Sequence, residues 1–356
     1  MKLLFPIVLA LCIGCSKGST TGNTEGIALI KGADLSFLPE IEASNIPFLS
    51  QNGIKNDMLT ILKQAGCNTV RIRLLHSPTN GHSGFPEVTN FAARIKSAGL
   101  KVWLDIHYSD TWADPAHQII PDKWKELDKE TLKDSVYLYT YRAVSTIKPE
   151  IVQIGNEINN GFLGDFGSLS NQNNHPNFIE LLKSGIKGAR SGSPASLIML
   201  HFAGIEGSSW FFESLITNNN VDYDLVGLSF YPYYHGKDFA LLSSTLSKLK
   251  KNTGKKVLIA ETAYPFTLGW NDNTNNVVGQ NNQLMPGFSA TPSGQKEFIS
   301  ALIKSIKSVG GDGFCYWGGE WVAFKGPQAA DGSSWENQAL FDFNYKALPV
   351  LDNFGQ

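Results

Sequence analysis

The chain has 356 residues, 42% of them hydrophobic, with 34 glycines and 16 prolines, so it is long enough to bury one large hydrophobic core. Its formal net charge is −2 with 17% charged residues, and the sequence contains no dense run of lysine and arginine. This pattern argues against the basic surface that nucleic-acid-binding proteins use, and we expect no nucleic-acid partner.

The first 26 residues resemble an export and anchoring signal. Lys2 precedes an apolar stretch over residues 3–13 that is too short to span a bilayer, which is typical of a secretory signal peptide. A small residue before Cys15 resembles a bacterial lipoprotein box, so we expect a lipoprotein signal peptide over residues 1–14 and a lipid on Cys15. Residues 15–26, rich in serine, threonine and glycine, would then be a flexible tether.

These features predict an exported lipoprotein in the outer membrane of a Gram-negative bacterium, at the cell surface or at the periplasmic face. An ordinary signal peptide cleaved nearby is the alternative. With Cys12 removed in the signal and Cys15 acylated, only Cys67 and Cys315 remain in the folded part, each in an apolar setting. A disulfide between them is one alternative, but two buried free thiols are favoured, and no metal-binding spacing is present.

Past the tether, eight short apolar runs alternate with longer amphipathic segments, which indicates repeated βα units around a parallel sheet. The predicted strands span residues 31–37, 69–74, 101–107, 151–156, 197–202, 225–231, 257–262 and 313–317. Predicted helices span residues 55–66, 88–99, 130–147 and 295–309, with Gly66, Gly99 and Gly310 placed as helix C-caps. Eight such units favour an α/β fold, a single-domain (β/α)8 TIM barrel over residues 27–356.

Catalytic residues of such a barrel lie at the carboxyl ends of its strands. Asn156 and Glu157 end the fourth predicted strand, and Glu261 lies near the end of the seventh. Two carboxylates about 5 Å apart across a glycosidic bond are what retaining hydrolysis needs, and this chemistry requires no cofactor. Arg71 offers a cation that can keep Glu261 ionised. A structural ion pair in the barrel mouth is the other interpretation of Arg71 and Arg73.

Four segments carry a more specific pattern. They are residues 104–115 (LDIHYSDTWADP), 153–161 (QIGNEINNG), 261–265 (ETAYP) and 336–342 (ENQALFD). They resemble glycoside hydrolase family 53, the endo-β-1,4-galactanases of clan A, and the similarity runs from about Lys31 to the C-terminus.

This resemblance implies hydrolysis of β-1,4-galactan and galacto-oligosaccharides, with Glu157 as the acid/base and Glu261 as the nucleophile. By position it places five side chains around the sugar at the cleavage point: Arg71, His107, Asn156, Tyr231 and Trp317. Further aromatic residues near strand ends suit a sugar cleft because the C–H faces of galactose pack on rings: Trp112, Tyr234 and Trp321.

Two segments depart from the family pattern. Residues 162–166 (FLGDF) stand where the family often has Leu-Trp-Pro, and residues 318–321 (GGEW) stand where Glu-Pro-Ala-Trp is common. A stacking surface for sugar is therefore lost or moved, and the resemblance does not fix the number of subsites.

The loop over residues 270–282 is rich in asparagine and has no apolar periodicity. Similarity to bacterial relatives implies a structural calcium ion between the loops that follow the seventh and eighth strands. By position, the oxygen ligands would come from Asp272, Asn276, Ser333 and Glu336 and from a backbone oxygen near Thr274. A solvated asparagine-rich loop is the alternative.

Two other functions remain open from the sequence. A glycan-capturing surface lipoprotein without activity would be expected to lack one of the two carboxylates, whereas Glu157 and Glu261 are both present. A related enzyme acting on mannan, xylan or arabinan would share the carboxylate pair, since fold does not fix specificity. The segment over residues 104–115 favours galactan, and we expect the protein to act as a monomer.

Overall fold

The computed structural model describes residues 29–356, so the predicted signal peptide, the tether and Cys15 lie outside the described residues. Eight parallel strands form a closed barrel and pair in chain order, which confirms the predicted (β/α)8 TIM barrel. The strands are β1 (Ile30–Asp34), β2 (Thr69–Leu74), β3 (Lys101–Ile106), β4 (Ile151–Ile154), β5 (Leu197–Ala203), β6 (Leu225–Ser229), β7 (Lys256–Thr262) and β8 (Gly313–Tyr316).

Helices surround the barrel, and the four predicted ones correspond to α2, α3, α4 and α8. The helices are α1 (Leu38–Ala43), α2 (Met58–Ala65), α3 (Phe85–Ser97), α4 (Lys129–Ile147), α5 (His175–Gly192), α6 (Pro232–His235), α7 (Phe239–Thr253) and α8 (Pro292–Ser308), with a π-helical segment at Trp210–Ile216. Gly66, Gly99 and Gly310 have φ angles of 105°, 74° and 64°. This left-handed backbone ends α2, α3 and α8 as the C-cap prediction required.

The barrel interior is apolar at one end and polar at the other. A cluster that includes Ile30, Trp103, Ile151 and Leu225 fills the end where the strands begin. Above it, the next inward-facing positions carry polar side chains such as Arg71, because alternate strand residues point to the same side. The polar half of the interior therefore lies at the carboxyl ends of the strands, where the candidate catalytic residues are.

Cys67 and Cys315 are buried free thiols, as predicted. Burial raises the pKa of Cys67 to about 12, so its sulfur stays protonated. Among residues 29–356, no helix combines the length and the apolar character needed to cross a bilayer.

Candidate active site

Glu157 follows β4 in a tight turn at the barrel mouth. Gly155 has a φ of 77°, and Glu157 itself takes a left-handed φ of 47°, a conformation that costs free energy in a residue with a side chain. The side-chain nitrogen of Gln118 donates to the backbone oxygen of Asn156 at 2.8 Å and to that of Asp114 at 3.0 Å. These contacts hold the strained turn in place.

The turn leaves no room for a side chain at Gly155. A Cβ there would lie 2.5 Å from Cγ2 of Ile158. We expect Gly155→Ala to displace Glu157 and to lower kcat by about 100-fold, the usual cost of a misplacement near 1 Å. Gly53→Ala is the matched control, because Gly53 has nearly the same φ of 78° but no atom within 4 Å of its Cβ position.

Both variants carry an alanine in left-handed backbone, so both should lose about 1–2 kcal/mol of stability. Only the Gly155 variant should lose activity when kcat is measured on folded protein. Equal kcat values for the two variants would show that the turn tolerates the methyl group.

Glu261 lies near the end of β7, where β7 has one more residue than the paired stretch of each neighbouring strand. Leu228 of β6 pairs with Ile259, but the next residue, Ser229, pairs with Glu261, so Ala260 is skipped. The pairing of β7 with β8 shifts over the same stretch. Such a bulge changes the direction of the side chain that it carries, and here it turns Glu261 toward the barrel mouth.

Two donors hold the Glu261 carboxylate. Nη2 of Arg71 lies 2.8 Å from Oε1, and the hydroxyl of Tyr231 donates to Oε2 at 2.9 Å. The Arg71 guanidinium also contacts Asp34 at 2.7 Å and Asp105 at 2.8 Å, and it is fully buried. Arg71 therefore forms structural ion pairs and also places a cation beside Glu261. Both interpretations of Arg71 from the sequence apply.

Glu157 and Glu261 face each other with carboxylate oxygens within 4.8 Å. Burial raises the pKa of Glu157 to about 7. Burial also raises the pKa of Glu261, Arg71 opposes that rise, and the neighbouring Glu157 adds to it. Two carboxyl groups this close share one negative charge near neutral pH. The ion pair with Arg71 places that charge on Glu261, and Glu157 keeps the proton.

A hydroxyl that the sequence did not indicate contacts Glu157. Ser229 donates to Oε1 of Glu157 at 2.5 Å, and Nε2 of His201 lies 2.9 Å from the same hydroxyl oxygen. The available signal was strand alternation, because Ser229 and Tyr231 lie two residues apart in the strand predicted over residues 225–231 and so were expected on the same side of it.

A cleft of about 640 Å³ opens above the two carboxylates. Its lining includes the predicted Trp112, Asn156, Tyr231, Tyr234 and Trp317. Trp335, which sequence reasoning missed, also lines the cleft and packs edge-on against Tyr231 and Trp317, with ring centroids 5.6 and 4.8 Å away. An apolar wall with few polar groups is typical of a saccharide cleft.

The predicted Asn156 lines the cleft, whereas the predicted His107 lines a small enclosed pocket next to it, together with Arg71 and Glu261. Nε2 of His107 lies 2.9 Å from Asp105, and Nδ1 accepts from the backbone N–H of Ala113 at 2.9 Å. The side-chain nitrogen of Asn156 donates to the backbone oxygen of Ala113, and its oxygen accepts from Arg71 at 2.8 Å. These contacts fix both side chains and hold His107 neutral with its proton on Nε2.

Both departures from the family pattern are accommodated by packing. Phe162 is buried against Tyr108, with ring centroids 5.5 Å apart, and so belongs to the core. A Cβ at Gly318 would lie 2.8 Å from the indole of Trp335. The absence of a side chain at this position therefore leaves space for the Trp335 ring. Trp321 stacks on Phe37 at 4.3 Å beside the cleft.

The five residues predicted to bind calcium come together between the loops that follow β7 and β8. Asp272 accepts from the backbone N–H of Thr274 at 2.6 Å and from that of Ser333 at 3.2 Å. Glu336 accepts from the backbone N–H of Asp272 at 3.4 Å. Oε2 of Glu336 and Oδ1 of Asn276 are buried without a hydrogen-bond partner among the described residues. Unpartnered buried oxygens of this kind fit a hard cation.

Comparison with known proteins agrees with this geometry. The model of glycosyl hydrolase family 53 matches residues 30–354. An arabinogalactan endo-β-1,4-galactanase from Cellvibrio japonicus is 35% identical over 363 residues, which cover 97% of this chain and 95% of that protein. The solved GH53 catalytic domain of Ignisphaera aggregans has a TM-score of 0.86 at 37% identity, covering 92% of this chain and 95% of that one. A structure of fungal β-1,4-galactanases has a TM-score of 0.80 at 30% identity, covering 92% and 100%.

Proposed function

This chain belongs to glycosyl hydrolase family 53, and we propose that, as an endo-β-1,4-galactanase of that family, it cleaves galactan by double displacement. Glu157 is the acid/base and Glu261 the nucleophile. The observation that carries these roles is the separation of their carboxylate oxygens, within 4.8 Å. Retaining enzymes hold their carboxyl groups about 5 Å apart, whereas inverting enzymes leave room for a water molecule between them.

In the first step, the Glu261 carboxylate attacks the anomeric carbon and forms a covalent bond to it. The bond from that carbon to the leaving oxygen breaks, and its electron pair goes to the oxygen, which takes the proton of Glu157. Tyr231 and Arg71 orient the nucleophile, each through one of its oxygens.

In the second step, Glu157 is a carboxylate and acts as a base. It takes a proton from water, the water oxygen bonds to the anomeric carbon, and the bond to Glu261 breaks. The product keeps the β configuration, and both carboxyl groups return to their starting protonation states.

A panel of plant glycans tests the activity and its specificity. We expect β-1,4-galactan and arabinogalactan type I to lose viscosity early and to release galacto-oligosaccharides, since an endo-acting enzyme cuts inside the chain. Mannan, xylan and arabinan serve as controls and should stay intact. Cleavage of a control polymer with galactan intact would reassign the substrate, and binding of galactan without cleavage would indicate a glycan-capturing protein.

We also propose that a calcium ion is held by Asp272, Asn276, Ser333 and Glu336 with a backbone oxygen near Thr274. Its support is chemical: two acidic side chains and two unpartnered buried oxygens lie in one cluster. Such an ion would tie together the loops after β7 and β8. It supplies no catalytic chemistry, because hydrolysis by two carboxylates needs no metal.

An ion that binds only the folded state raises stability, by about 2.7 kcal/mol at a hundredfold excess over its dissociation constant. We therefore expect a chelator to lower the melting temperature of the wild type but not that of Asp272→Ala. Asp331→Ala, at an exposed carboxylate nearby that pairs with Lys325, should respond like the wild type. Identical wild-type melting curves in chelator and in excess calcium would mean that no calcium ion stabilises the protein and that residues 270–282 form an ordinary solvated loop.

The amino-terminal sequence supports the further proposal of a lipid anchor at Cys15 in the outer membrane. We expect Cys15→Ala to move the protein from the membrane to the soluble fraction of cells without a change in specific activity. Fractionation followed by an activity assay measures both quantities. A Cys15→Ala protein that still sediments with the outer membrane would rule out acylation as its anchor.

A further inference from the structure

A chain of hydrogen bonds reaches Glu157 from the centre of the barrel. Its first member is the side chain of Gln153, whose oxygen accepts from Nε of Arg71 at 3.1 Å and from Nε1 of Trp103 at 3.2 Å. Since both partners can only donate, the orientation of the Gln153 amide is fixed. Its nitrogen then points to three acceptors that share its two hydrogens: Nδ1 of His201 at 3.1 Å, the backbone oxygen of Gly155 at 3.1 Å and the side-chain oxygen of Asn156 at 3.0 Å.

The next two members are His201 and Ser229, and both are fully buried. Nε2 of His201 lies 2.9 Å from the Ser229 hydroxyl, which lies 2.5 Å from Oε1 of Glu157. A hydroxyl has a single hydrogen, so Ser229 can donate to only one of these two neighbours. The direction of the whole chain follows from which neighbour receives it.

The hydrogen-bond donor that the Glu157 carboxyl group requires decides the direction of the chain. Ser229 is the only side-chain donor to its carboxyl group among the described residues, and once Glu157 has given up its proton, a partly buried carboxylate without a donor would be costly. If Ser229 donates to Oε1, then His201 must donate from Nε2 to Ser229. His201 then has an unprotonated Nδ1, which accepts from Gln153.

The opposite direction would bury the catalytic proton. His201 would carry its proton on Nδ1 and donate it to the side-chain oxygen of Asn156, 2.9 Å away, so the contacts of His201 alone permit either direction. Ser229 would donate to His201, and Glu157 would place its proton on Oε1, toward Ser229. That proton would point away from the cleft, where a leaving oxygen must lie.

We propose that Ser229 and His201 are positioning residues for the acid/base, which keep Oε1 of Glu157 as an acceptor and confine the catalytic proton to Oε2. This inference rests on the proposed function, because it assumes that Glu157 transfers a proton. The same chain serves both steps, since Oε1 accepts from Ser229 whether Oε2 carries a proton or not. Glu157 therefore need not reorient between acting as acid and acting as base.

Other groups also bear on the titration of Glu157, and none of them is hydrogen-bonded to the Ser229 hydroxyl. The charged and titratable groups that face Glu157 or His201 are Arg71, Asp105, His107, Asp114, Tyr231, His235 and Glu261. Removing the Ser229 hydroxyl leaves all of these in place. A change of pH dependence in Ser229→Ala therefore reports on the hydrogen bond alone.

The pH profile of kcat/KM is the first test. The bond from Ser229 favours the carboxylate form of Glu157, so Ser229→Ala should raise the pKa of Glu157 and move the alkaline limb of activity upward. We expect a shift of about one pH unit, as for other hydrogen bonds to charged groups. Ser229→Thr keeps a hydroxyl and should restore the wild-type limb. A limb that stays in place in Ser229→Ala, folded by circular dichroism, would overturn the proposal.

A second measurement uses an aryl β-galactobioside whose leaving group departs without a proton. Ser229→Ala should slow formation of the covalent intermediate on galactan about tenfold or more, but slow it much less on the activated substrate, because only galactan needs the acid. A purely structural role would lower both rates equally, and that result would contradict a positioning role.

Nitrogen NMR of His201 in the wild type checks the direction without any mutation. We expect a neutral ring with its proton on Nε2 throughout the pH range in which Glu157 titrates, and a proton on Nδ1 would refute the proposed direction. Failure of the proposed function is distinguishable, because the wild type would then leave galactan uncut, or Glu157→Gln would keep its activity and its alkaline limb.

Discussion

Glu261→Gln is expected to lower kcat on galactan by about four orders of magnitude while the protein stays folded. The amide is nearly isosteric with the carboxylate, and it cannot form the glycosyl-enzyme bond. The same substitution at Glu157 removes the proton donor, which costs about 100-fold to 10,000-fold. Initial rates on purified variants with matched melting curves measure both effects.

The two variants should also differ in their response to the leaving group. Glu157→Gln should recover much of its intermediate-forming rate on an activated aryl β-galactobioside, whereas Glu261→Gln should not. Glu126→Gln is the control, because Glu126 is exposed on the surface. Near-normal activity of either active-site variant on galactan would remove that residue from the mechanism.

Arg71→Met is expected to cost the largest amount of stability, about 3–5 kcal/mol in free energy of unfolding at pH 7. Arg71 contacts Asp34, Asp105 and Glu261 inside the barrel. Its loss leaves buried carboxylates without their cation. Activity should fall as well, because burial then raises the pKa of Glu261 unopposed and the nucleophile takes up a proton.

The cost of Arg71→Met should shrink as the pH falls. In the wild type, burial opposes ionisation of Asp105, but Arg71 and His107 outweigh it and lower the pKa. A lowered folded-state pKa gives stability above the unfolded pKa near 4, and this stability is lost as pH falls. In the variant, the raised carboxyl pKa values destabilise the folded state at neutral pH, and protonation relieves this effect.

Urea unfolding at pH 5 and pH 7 tests whether the stability cost of Arg71→Met falls or rises as the pH is lowered. Arg94→Met is the matched control, because Arg94 also pairs with two carboxylates, Glu42 and Asp57, but at the surface. Surface pairs contribute up to about 1 kcal/mol, so this variant should be nearly neutral at both pH values. A cost for Arg71→Met that is small, or that grows toward pH 5, would contradict the proposed charge balance.

Sequence patterns were sufficient to predict the barrel and to place Glu157 and Glu261 at its mouth. Each strand is a short run of buried residues, and Glu157 and Glu261 stand beside the ends of two such runs. Helices α5 and α7 were not predicted. Each has a strong apolar face but is interrupted by small or polar residues, such as Gly185 in α5. A Cβ at Gly185 would lie 2.9 Å from the Tyr108 hydroxyl, so its need for glycine arises from tertiary packing.

The parts of the site that the sequence did not reveal depend on contacts between distant strands. Ser229 and Glu157 are separated by 72 positions, and Arg71 and Gln153 by 82. A serine or a glutamine inside a strand has no local signature of such a contact. The bulge in β7 is equally hidden, because it is a difference in register between neighbouring strands.

Rescue of Glu261→Gly by azide is the most direct test of the roles of the two glutamates. With an activated aryl β-galactobioside, azide should enter the space left by the carboxylate and attack the face of the sugar that Glu261 faces. Because this is a single displacement, we expect an α-linked galactobiosyl azide. A β-linked azide from Glu261→Gly would mean that the intermediate still forms and that Glu261 is the acid/base, which would contradict the assignment.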